Sequence, residues 1–572
     1  MRVLFVALGC EQLSISLLAA ILRRRGHQVG LAFSRHLFDD RLFMAVPRLA
    51  RWFADDDVVE QAIRFRPDVV CFSALTVTYQ WMLEKARCVK EACGAVTVFG
   101  GVHPSAVPEL VAEEDAVDYV CVGEGEVALP TLLDALANGG PAGALPNLVY
   151  RRDGGLVRGP ILPFFQDLDA LPAFEKDLWA DHIRIDSFYL TMSSRGCPYR
   201  CTYCFNNYFG TLPGPRRQAG RYVRQRSVGH FIAELAEARR RWGVRYVDIE
   251  DDIFTLDTAW IIEFGRRYRR EVGVPFRCLS HAKFLDEARV KALKEAGCAW
   301  VQIGVESADD DYKSLVKRGD KQRHVERALD LLEKARIQVK TDHILGLPGE
   351  DDDAQQKALA LYARHDIGRI GTFWLCYMPG TEIVKLASAS GVLSPADVEK
   401  INRGQLDFFY RQGNVNDPQR RRLLAAYELL FRLLPIAPHA RVAALDARRI
   451  AALPPTMVRA VGLIADTIAS LVRRNPELTN YVEQYALGLK NHVRWRLGLP
   501  ARGFKAQFRR AQRGHGPQPK RQTPNPSCPQ SLSGHPGGAA ELTDSHGFAL
   551  QDCGNDEHEI CAPRTDFRSG RS

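Results

Sequence analysis

The chain has 572 residues, of which 46% are hydrophobic and 25% charged, and its formal net charge is +9. This length is too great for one ordinary core, and domains of roughly 100–200 residues predict two or three of them. The composition excludes a disordered or fibrous protein. The mild positive charge permits contact with nucleic acid or an anionic membrane without requiring either.

Neither secretion nor a membrane span is indicated by the sequence. Met1 leads directly into the strand-like Val3–Val6 instead of into a signal peptide. The best candidate for a transmembrane helix, Met457–Val472, is interrupted by Arg459 and Asp466. The 14 cysteines are therefore expected in a reducing cytoplasm. There, clustered cysteines bind metal or do chemistry more often than they form disulfides.

Residues 1–140 alternate short apolar strands with helical segments, a pattern typical of a doubly wound parallel α/β sheet. Ser14 is the expected N-cap of the first helix, and Gly26 is expected to end it. Ligands of such sheets bind beyond the carboxyl ends of the strands. The predicted strands are Val3–Leu8, Val29–Phe33, Val69–Ser73, Val96–Phe99 and Tyr119–Val122.

Residues 141–185 are rich in proline and glycine and are expected to form a linker. A second alternating series then covers residues 186–390. Six βα units in succession predict a partial (β/α)6 barrel, with its chemistry again at the carboxyl ends of the strands. The predicted strands are Phe188–Ser193, Arg245–Glu250, Phe276–Ser280, Trp300–Val305, Val339–Leu345 and Thr372–Tyr377.

The C-terminal region, residues 391–513, is predicted to be helical, and from 415 to 505 it carries many arginines among leucines and alanines. These helices could make peripheral contact with a membrane or bind an anionic, lipid-like substrate. They could also form a solvated cap on the barrel, which we favour because arginine stems cover apolar helix surfaces. Residues 514–572 contain few aliphatic side chains, which predicts a disordered tail.

Three cysteines, Cys197, Cys201 and Cys204, directly follow the first predicted barrel strand. Thiolates are the usual ligands of iron–sulfur clusters, and three of them on a four-iron cluster leave one iron open for chemistry. A structural zinc site is the alternative, but it needs four ligands, commonly as two closely spaced pairs. The next cysteine is Cys278, so the spacing favours a cluster.

The segment from Ser194 to Cys204 closely resembles the CxxxCx(aromatic)C signature of the radical S-adenosylmethionine (SAM) superfamily, with Tyr203 at the aromatic position. The resemblance implies a [4Fe-4S] cluster whose open iron chelates the amino and carboxylate groups of SAM. It also implies that one electron, from a donor such as flavodoxin or ferredoxin, cleaves SAM to methionine and a 5′-deoxyadenosyl radical. Tyr203 would lie near the adenine.

Later strands end in further stretches that resemble the family. An acidic run ends the second barrel strand, where the family contacts the SAM amino group, although acidic residues there also cap helices, as Asp257 could. The fourth strand ends like the family's ribose-contacting stretch, and the fifth ends like its loop against adenine and methionine. The implied SAM contacts, besides Tyr203, are Glu250, Asp251, Asp252, Glu306, Ser307 and Gly346.

The N-terminal region resembles the cobalamin-binding domains attached to radical SAM enzymes. An SxL element follows its third strand, a GG element its fourth, and a Gly-Glu-Gly-Glu stretch its fifth. Glycines after strands let the backbone approach a ligand closely. The implied cobalamin contacts are Ser73, Leu75, Gly100, Gly101, His103, Gly123 and Glu124.

One departure from the cobalamin-binding pattern concerns the cobalt ligand. The DxHxxG element, which supplies a histidine in many cobalamin proteins, is absent, and the corresponding loop runs from Gly9 to Ser14. The lower axial ligand of cobalt therefore stays open. His103 is the nearest histidine in a family motif, but we interpret it as an ordinary loop residue. Cys10 could be catalytic or a ligand, although we favour a small buried hydrophobe.

Together, the resemblances imply an enzyme that uses both cofactors to methylate an unactivated carbon of a small-molecule or lipid-like substrate. Methylcobalamin would carry the methyl group, and the 5′-deoxyadenosyl radical would remove a hydrogen from the substrate. Relatives with the same domain order instead perform oxidative cyclisation or ring rearrangement. The sequence does not separate these outcomes.

Two other classes of protein fit the sequence less well. Methylthiotransferases acting on tRNA or protein need three N-terminal cysteines at loop positions, whereas Cys71 is predicted within a strand and Cys88 and Cys93 within a helical segment. No C-terminal RNA-binding domain is recognisable in the sequence, so no nucleic-acid partner is expected. A non-catalytic cobalamin-dependent sensor would not need the stretches that resemble SAM contacts.

Overall fold

The computed structural model describes residues 1–499 except 38, 41–43, 46, 54–56, 406–414 and 416. The predicted disordered tail, residues 514–572, lies outside the described residues, as does the end of the predicted helical region from 500 to 513. All described residues fall within one contiguous unit.

The N-terminal sheet confirms the predicted doubly wound fold. Its parallel strands carry nearly continuous apolar sequence because helices cover both faces. The strands of this region are β1 (Arg2–Leu8), β2 (Gln28–Ser34), the short pair β3 (Asp39–Asp40) and β4 (Met44–Ala45), β5 (Val69–Ser73), β6 (Val96–Gly100), β7 (Tyr119–Cys121), β8 (Leu148–Arg152) and β9 (Gly155–Arg158). The order in the sheet is β2-β1-β5-β6-β7-β8-β9, with β8 and β9 antiparallel.

Helices pack on both faces of this sheet. They are α1 (Leu13–Arg24), α2 (Pro47–Ala50), α3 (Asp57–Phe65), α4 (Tyr79–Cys93), α5 (Val102–Ala106), α6 (Pro108–Ala112) and α7 (Gly125–Ala137). Helices α1 and α7 cover one face, whereas α3 and α4 cover the other. The prediction of Ser14 as an N-cap is wrong, because α1 begins one residue earlier and Ser14 Oγ lies 3.2 Å from Ser73 Oγ.

The segment expected to be a linker, residues 141–185, is instead built into the fold. Strands β8 and β9 lie within it and extend the N-terminal sheet to Arg158. Further along, the buried Trp179 donates to Ser16 Oγ at 2.8 Å. The buried Lys176 ammonium donates to Glu11 Oε1 and to the Leu190 carbonyl, both at 2.5 Å. The segment therefore connects the N-terminal domain to the barrel and contacts both.

The predicted partial barrel is confirmed by a six-stranded, all-parallel sheet. Its region contains β10 (Tyr189–Thr191), β11 (Ser194–Arg195), β12 (Arg224–Gln225), β13 (Val247–Ile249), β14 (Phe276–Ser280), β15 (Cys298–Glu306), β16 (Gln338–Leu345) and β17 (Arg369–Trp374). The sheet order, β10-β13-β14-β15-β16-β17, follows the chain, while β11 and β12 form a separate antiparallel pair. Each predicted strand overlaps an observed one; Phe276–Ser280 matches at both ends, and no end differs by more than three residues.

Helices lie between these strands and after the last one. They are α8 (Phe205–Phe209), α9 (Arg216–Ala219), α10 (Val228–Trp242), α11 (Thr258–Glu271), α12 (Glu287–Ala296), α13 (Asp310–Leu315), α14 (Gln322–Lys334), α15 (Asp352–Ala363), α16 (Glu382–Ala389) and α17 (Pro395–Asn402). Asp257 caps α11 by accepting a hydrogen bond from the Trp260 backbone at 2.9 Å, as the sequence allowed.

The C-terminal region is helical, as predicted, and its first long helix packs on the barrel. Its helices are α18 (Pro418–Leu433), α19 (His439–Ala443), α20 (Ala447–Ala451), α21 (Pro455–Val472) and α22 (Pro476–Arg496). Leu424, Tyr427 and Phe431 of α18 join the core of the barrel. Among the described helices, α21 alone has the length and apolar composition that a membrane span would need.

At the amino-terminal end of the barrel, charged side chains of three strands bond to a helix of the C-terminal region. Glu477, in the first turn of α22, bonds to Arg277 of β14, to Lys340 of β16 at 2.9 Å, and to Arg369 of β17. Burial opposes ionisation of this carboxyl group, but the three cations hold its pKa at about 2. One side chain thus ties a C-terminal helix to three barrel strands.

Candidate active site

The cysteine loop leaves the barrel through a tight turn after β10. Strand β11 pairs with β12, and Gly196 follows with a left-handed φ of 87°. A Cβ atom at Gly196 would lie 2.5 Å from the Tyr222 carbonyl oxygen, so only glycine fits there. The three cysteines follow directly, and α8 begins after Cys204.

The three thiols lie close enough to influence one another. The pKa of Cys197 is raised to about 12 and that of Cys204 to about 11, mainly by burial, and the neighbouring Cys201 contributes to both shifts. Thiols with such a pKa ionise when a metal cation replaces the proton. Three of them at one loop fit the donor set of a [4Fe-4S] cluster with one open iron.

The acidic run after β13 does not act as one group, contrary to the expectation from the sequence. Asp251 is fully buried and accepts hydrogen bonds from Ser193 N and Oγ and from Ser194 Oγ at 2.5–2.6 Å, so it fixes the cysteine loop. Glu250 accepts a hydrogen bond from Arg277 of β14. Asp252 accepts a hydrogen bond from the Asn206 amide at 2.7 Å and adds negative charge beside Cys197 and Cys204, so its position makes it the candidate contact for the SAM amino group.

β15 ends at Glu306, whose backbone conformation is strained. Glu306 has a left-handed φ of 65°, and the pairing register with β16 shifts at this point. Burial raises the pKa of Glu306 to about 7, although the nearby Arg318 opposes the shift. The neighbouring Ser307 hydroxyl donates to Glu350 at 2.8 Å and is buried, so its side chain is occupied within the protein. Strain of this kind is concentrated at ligand sites.

A cationic residue that sequence reasoning missed, Arg318, lies beneath the cysteine loop. It bonds to Asp320 at 3.0 Å and to the Gly304 carbonyl, and it stands near enough to Cys201 and Tyr203 to interact with both. Tyr203 is enclosed, and its hydroxyl has no hydrogen-bond partner among the described residues. No local pattern marks Arg318, because apart from Asp320 its partners lie in β15 and in the cysteine loop, far away in the sequence.

The loop after β16 is covered by the C-terminal region. Gly346 has a φ of 83°, and a Cβ atom there would lie 2.9 Å from Val415. Arg420 of α18 donates to the Glu350 carbonyl in the same loop. Gly346 is therefore needed for close packing in the described structure, and a SAM contact at Gly346 remains a prediction.

At the edge of the N-terminal sheet, the loops after β5 and β6 come into direct contact. Gly101 has a φ of 99°, and a Cβ atom there would lie 2.9 Å from the backbone N and O of Ala74. Next to this contact, Leu75 is 48% exposed and Val77 38% exposed. A glycine cradle beside outward apolar side chains fits the flat, largely apolar face of a corrin ring.

The predictions for His103 and Cys10 are wrong, because the two residues have the opposite environments. His103 is fully buried in α5, stacks on Tyr79 with ring centroids 4.2 Å apart, and lies 3.3 Å from the Thr76 hydroxyl. Burial lowers its pKa to about 3. His103 therefore packs between the segments that follow β5 and β6. Cys10, in the loop that lacks the DxHxxG histidine, is exposed.

Glu124, expected to contact cobalamin, instead joins the two domains. Its carboxylate accepts hydrogen bonds from Arg195 at 3.1 Å, from Arg224 at 2.7 and 3.0 Å, and from the Phe165 backbone at 2.7 Å. Arg195 also pairs with Glu126 at 2.6 Å. Because Arg195 stands two residues before Cys197, the cysteine loop is tied directly to the N-terminal sheet.

A second contact joins the helix after the cysteines to the same edge. Tyr208 of α8 donates to the Ser105 carbonyl at 2.8 Å, and the Ser105 hydroxyl accepts from the Gly123 backbone at 2.9 Å. Leu212 lies 3.8 Å from the position of a Cβ atom at Gly123. The carboxyl ends of both sheets therefore meet at one place, with the cysteine loop between them.

Two protein-family models match the chain in the regions just described. The radical SAM superfamily matches residues 191–361, and the B12-binding domain matches residues 4–133. The first range covers most of the barrel, and the second covers the parallel part of the N-terminal sheet.

Known methyltransferases are similar to this chain over much of its length. An uncharacterized methyltransferase of Pyrococcus horikoshii is 27% identical over 375 residues, which cover 64% of this chain and 80% of the relative. Cytidylyl-2-hydroxyethylphosphonate methyltransferase of Streptomyces wedmorensis is 24% identical over 461 residues, covering 71% and 82%. The solved structure of the radical SAM methyltransferase TsrM from Kitasatospora setae has the same fold, with a TM-score of 0.55, 18% identity, and coverage of 68% and 77%.

The barrel and its cysteine loop define a radical SAM enzyme. With a B12-binding domain ahead of the barrel, the chain belongs to the radical SAM enzymes that carry an N-terminal cobalamin-binding domain. Its cofactors are a [4Fe-4S] cluster, SAM and cobalamin.

Proposed function

We propose that the enzyme methylates an unactivated carbon of a small-molecule or lipid-like substrate, with cobalamin as the methyl carrier. The observation that carries this proposal is the direct contact between the two halves of the site. Arg195 in the cysteine loop pairs with Glu124 and Glu126 at the edge of the B12-binding sheet. A reaction that needs both cofactors on one substrate requires the two edges to face one cavity.

The chemistry explains why two cofactors are needed. An unactivated carbon–hydrogen bond is too strong and too weakly acidic for a side-chain base, and a SAM methyl group is electrophilic and poorly matched to a carbon radical. When bound, SAM at the cluster supplies the radical that removes hydrogen, and cobalamin supplies a methyl group suited to the resulting carbon radical. The protein binds both groups, orients them and excludes water.

Particular side chains are suited to these tasks. Asp252 presents a carboxylate beside the cysteine loop for the SAM amino group, and Arg318 provides positive charge beneath it. Leu75 and Val77 offer apolar surface to cobalamin. Tyr208 bridges the two edges through its hydrogen bond to the Ser105 carbonyl.

Similarity to methyltransferases supports methyl transfer over sulfur insertion. Both curated relatives described above are named as methyltransferases. A methylthiotransferase would need a second cluster on N-terminal cysteines. Cys71 lies within strand β5 and packs in the hydrophobic core, so it is badly placed to ligate a metal at a loop.

Transfer of an isotopic label tests the proposal. The reconstituted enzyme is incubated with a reductant, SAM carrying a deuterated methyl group, and a metabolite and lipid extract of its source cells. Mass spectrometry is expected to find a product that has gained the fully deuterated methyl group, and a Cys197→Ala, Cys201→Ala, Cys204→Ala triple variant should form none. Consumption of SAM with only unlabelled products would overturn methyl transfer and favour oxidative cyclisation or rearrangement.

A further inference from the structure

The outward face of α21 carries an uninterrupted apolar stripe. Met457, Val461, Ile464, Ile468 and Leu471 follow one another at steps of four and three residues, and all are exposed, Ile464 at 60% and Leu471 at 64%. Single exposed apolar residues are ordinary on protein surfaces, but a continuous stripe marks an interaction surface. These five residues are called the outer stripe below.

The opposite face of α21 holds the helix against the fold. Val458, Ala465 and Ala469 are buried, and Asp466 bonds to Arg369 at 2.8 and 3.0 Å. To cross a bilayer, α21 would have to leave this packing and bring Asp466 into the membrane. Lying in the interfacial plane, a helix of 18 residues, roughly 27 Å long, inserts only its outer stripe.

The unpaired charges near the outer stripe are arginines. Residues 447–475 contain five arginines, of which Arg448, Arg449 and Arg473 pair with Asp352, Asp446 and Asp366, and one acidic residue, Asp466. That carboxylate is already paired with Arg369. Arg459 and Arg474 are exposed and form no ion pair with any residue in the described part of the chain. The surface therefore combines apolar insertion with a basic rim.

We propose that the outer stripe and its flanking arginines dock the enzyme on an anionic lipid bilayer, with α21 lying in the interfacial plane. The apolar side chains enter the acyl boundary, and Arg459 and Arg474 meet the lipid phosphates. A second copy of the chain fits the surface less well, because a two-fold contact would set the same basic rim against itself.

Docking in this way leaves the active site accessible. Arg369 begins β17, so its bond to Asp466 puts the middle of α21 at the amino end of that strand. The cysteine loop follows the carboxyl end of β10, at the opposite end of the barrel. The proposal therefore goes beyond the proposed function and does not require a lipid substrate.

Vesicle flotation with the full chain tests the proposal. The vesicles contain phosphatidylcholine alone, or with about one-third phosphatidylglycerol. The wild type is expected to float with the anionic vesicles only and to be released by high salt. An Ile464→Glu, Leu471→Glu variant should bind roughly tenfold more weakly or not at all, and an Arg459→Glu, Arg474→Glu variant should also lose binding. Circular dichroism verifies that both remain folded.

A matched control variant replaces Leu156 and Ile262 with Glu, since these apolar residues are 40% and 37% exposed on β9 and α11. It should float like the wild type. The proposal is overturned if the wild type does not float with either vesicle, or if the control variant loses as much binding as the stripe variant. It is also overturned if a photo-crosslinker at position 461 attaches to residues 500–572 or to a second copy instead of to lipid.

Discussion

Glu124 is the residue on which the contact between the two domains depends most. Its carboxylate accepts hydrogen bonds from Arg195, from Arg224 and from the backbone of Phe165. Arg224 is almost completely buried, so loss of the carboxylate leaves its charge without compensation. The side chain at this position therefore stabilises the fold and holds the cysteine loop against the N-terminal sheet.

Replacing Glu124 with Ala is expected to lower the free energy of unfolding by about 3 kcal/mol, because two guanidinium groups lose a partner. The measurement is guanidinium chloride denaturation at neutral pH. Glu109→Ala is the matched control, since its pair with Arg158 is exposed and should change stability by less than about 0.5 kcal/mol. Equal stability of the two variants would contradict a structural role for Glu124.

The three cysteines give a second prediction at the residue scale. After anaerobic reconstitution, the wild type is expected to bind about four irons and four sulfides, and the Cys197→Ala, Cys201→Ala, Cys204→Ala variant should bind almost none. Iron and sulfide analysis with absorption spectroscopy measures the difference. Cys93→Ala, a half-buried thiol in α4, is the control and should keep the full cluster. A triple variant that still cleaves SAM reductively would refute the assignment.

Single residues also show where sequence reasoning stops. The spacing of Cys197, Cys201 and Cys204 is local, so it could be recognised without a structure. The surroundings of a side chain, in contrast, come from distant parts of the chain. His103 packs against Tyr79, and Asp251 accepts hydrogen bonds from Ser193 and Ser194 after another strand. A motif identifies the residue type, but its neighbours in space decide whether the side chain faces a ligand or the core.

Among the elements of the fold, α22 provides the clearest dependence on pH. Its Glu477 has a pKa of about 2 in the folded protein against an ordinary value of 4.5. Because the folded pKa is lowered, the carboxylate stabilises the fold above pH 4.5, and this stability is lost as the pH falls toward 2. The contribution at neutral pH is about 3 kcal/mol.

Glu477→Gln keeps the shape of the side chain and removes its charge. The variant is expected to be about 3 kcal/mol less stable than the wild type at pH 7, and the difference should shrink as the pH approaches 2. Chemical denaturation at several pH values measures this. Glu399→Gln, at an exposed pair with Arg403, should match the wild type throughout. A difference independent of pH would mean that packing, not charge, is responsible.

Elements differ in how far the sequence predicts them. The parallel strands could be predicted because burial on both faces demands continuous apolar runs, as in Val69–Ser73 and Phe276–Ser280. Strands β8 and β9 were missed because they lie at a sheet edge among prolines and glycines, where composition is typical of a linker. Pairing with β7, which composition does not encode, makes them part of the sheet.

For the whole molecule, the central feature is that two domains meet at the carboxyl ends of their strands. Contacts through Arg195 and Tyr208 join the cysteine loop and α8 to the carboxyl end of the sheet in the B12-binding domain. These partners lie 71 and 103 residues apart in the chain, so no sequence pattern could reveal them. The order of the domains and the motif at each strand end could be predicted, whereas the side chains that join the two domains could not.

The ratio of co-products tests the proposed reaction most directly. If one SAM provides the methyl group and another provides the radical, each methylated product should appear with one S-adenosylhomocysteine and one 5′-deoxyadenosine. Quantitative mass spectrometry of a reconstituted, cobalamin-loaded reaction over time should therefore give equal amounts of all three. Formation of 5′-deoxyadenosine with product but without S-adenosylhomocysteine would contradict cobalamin-dependent methylation.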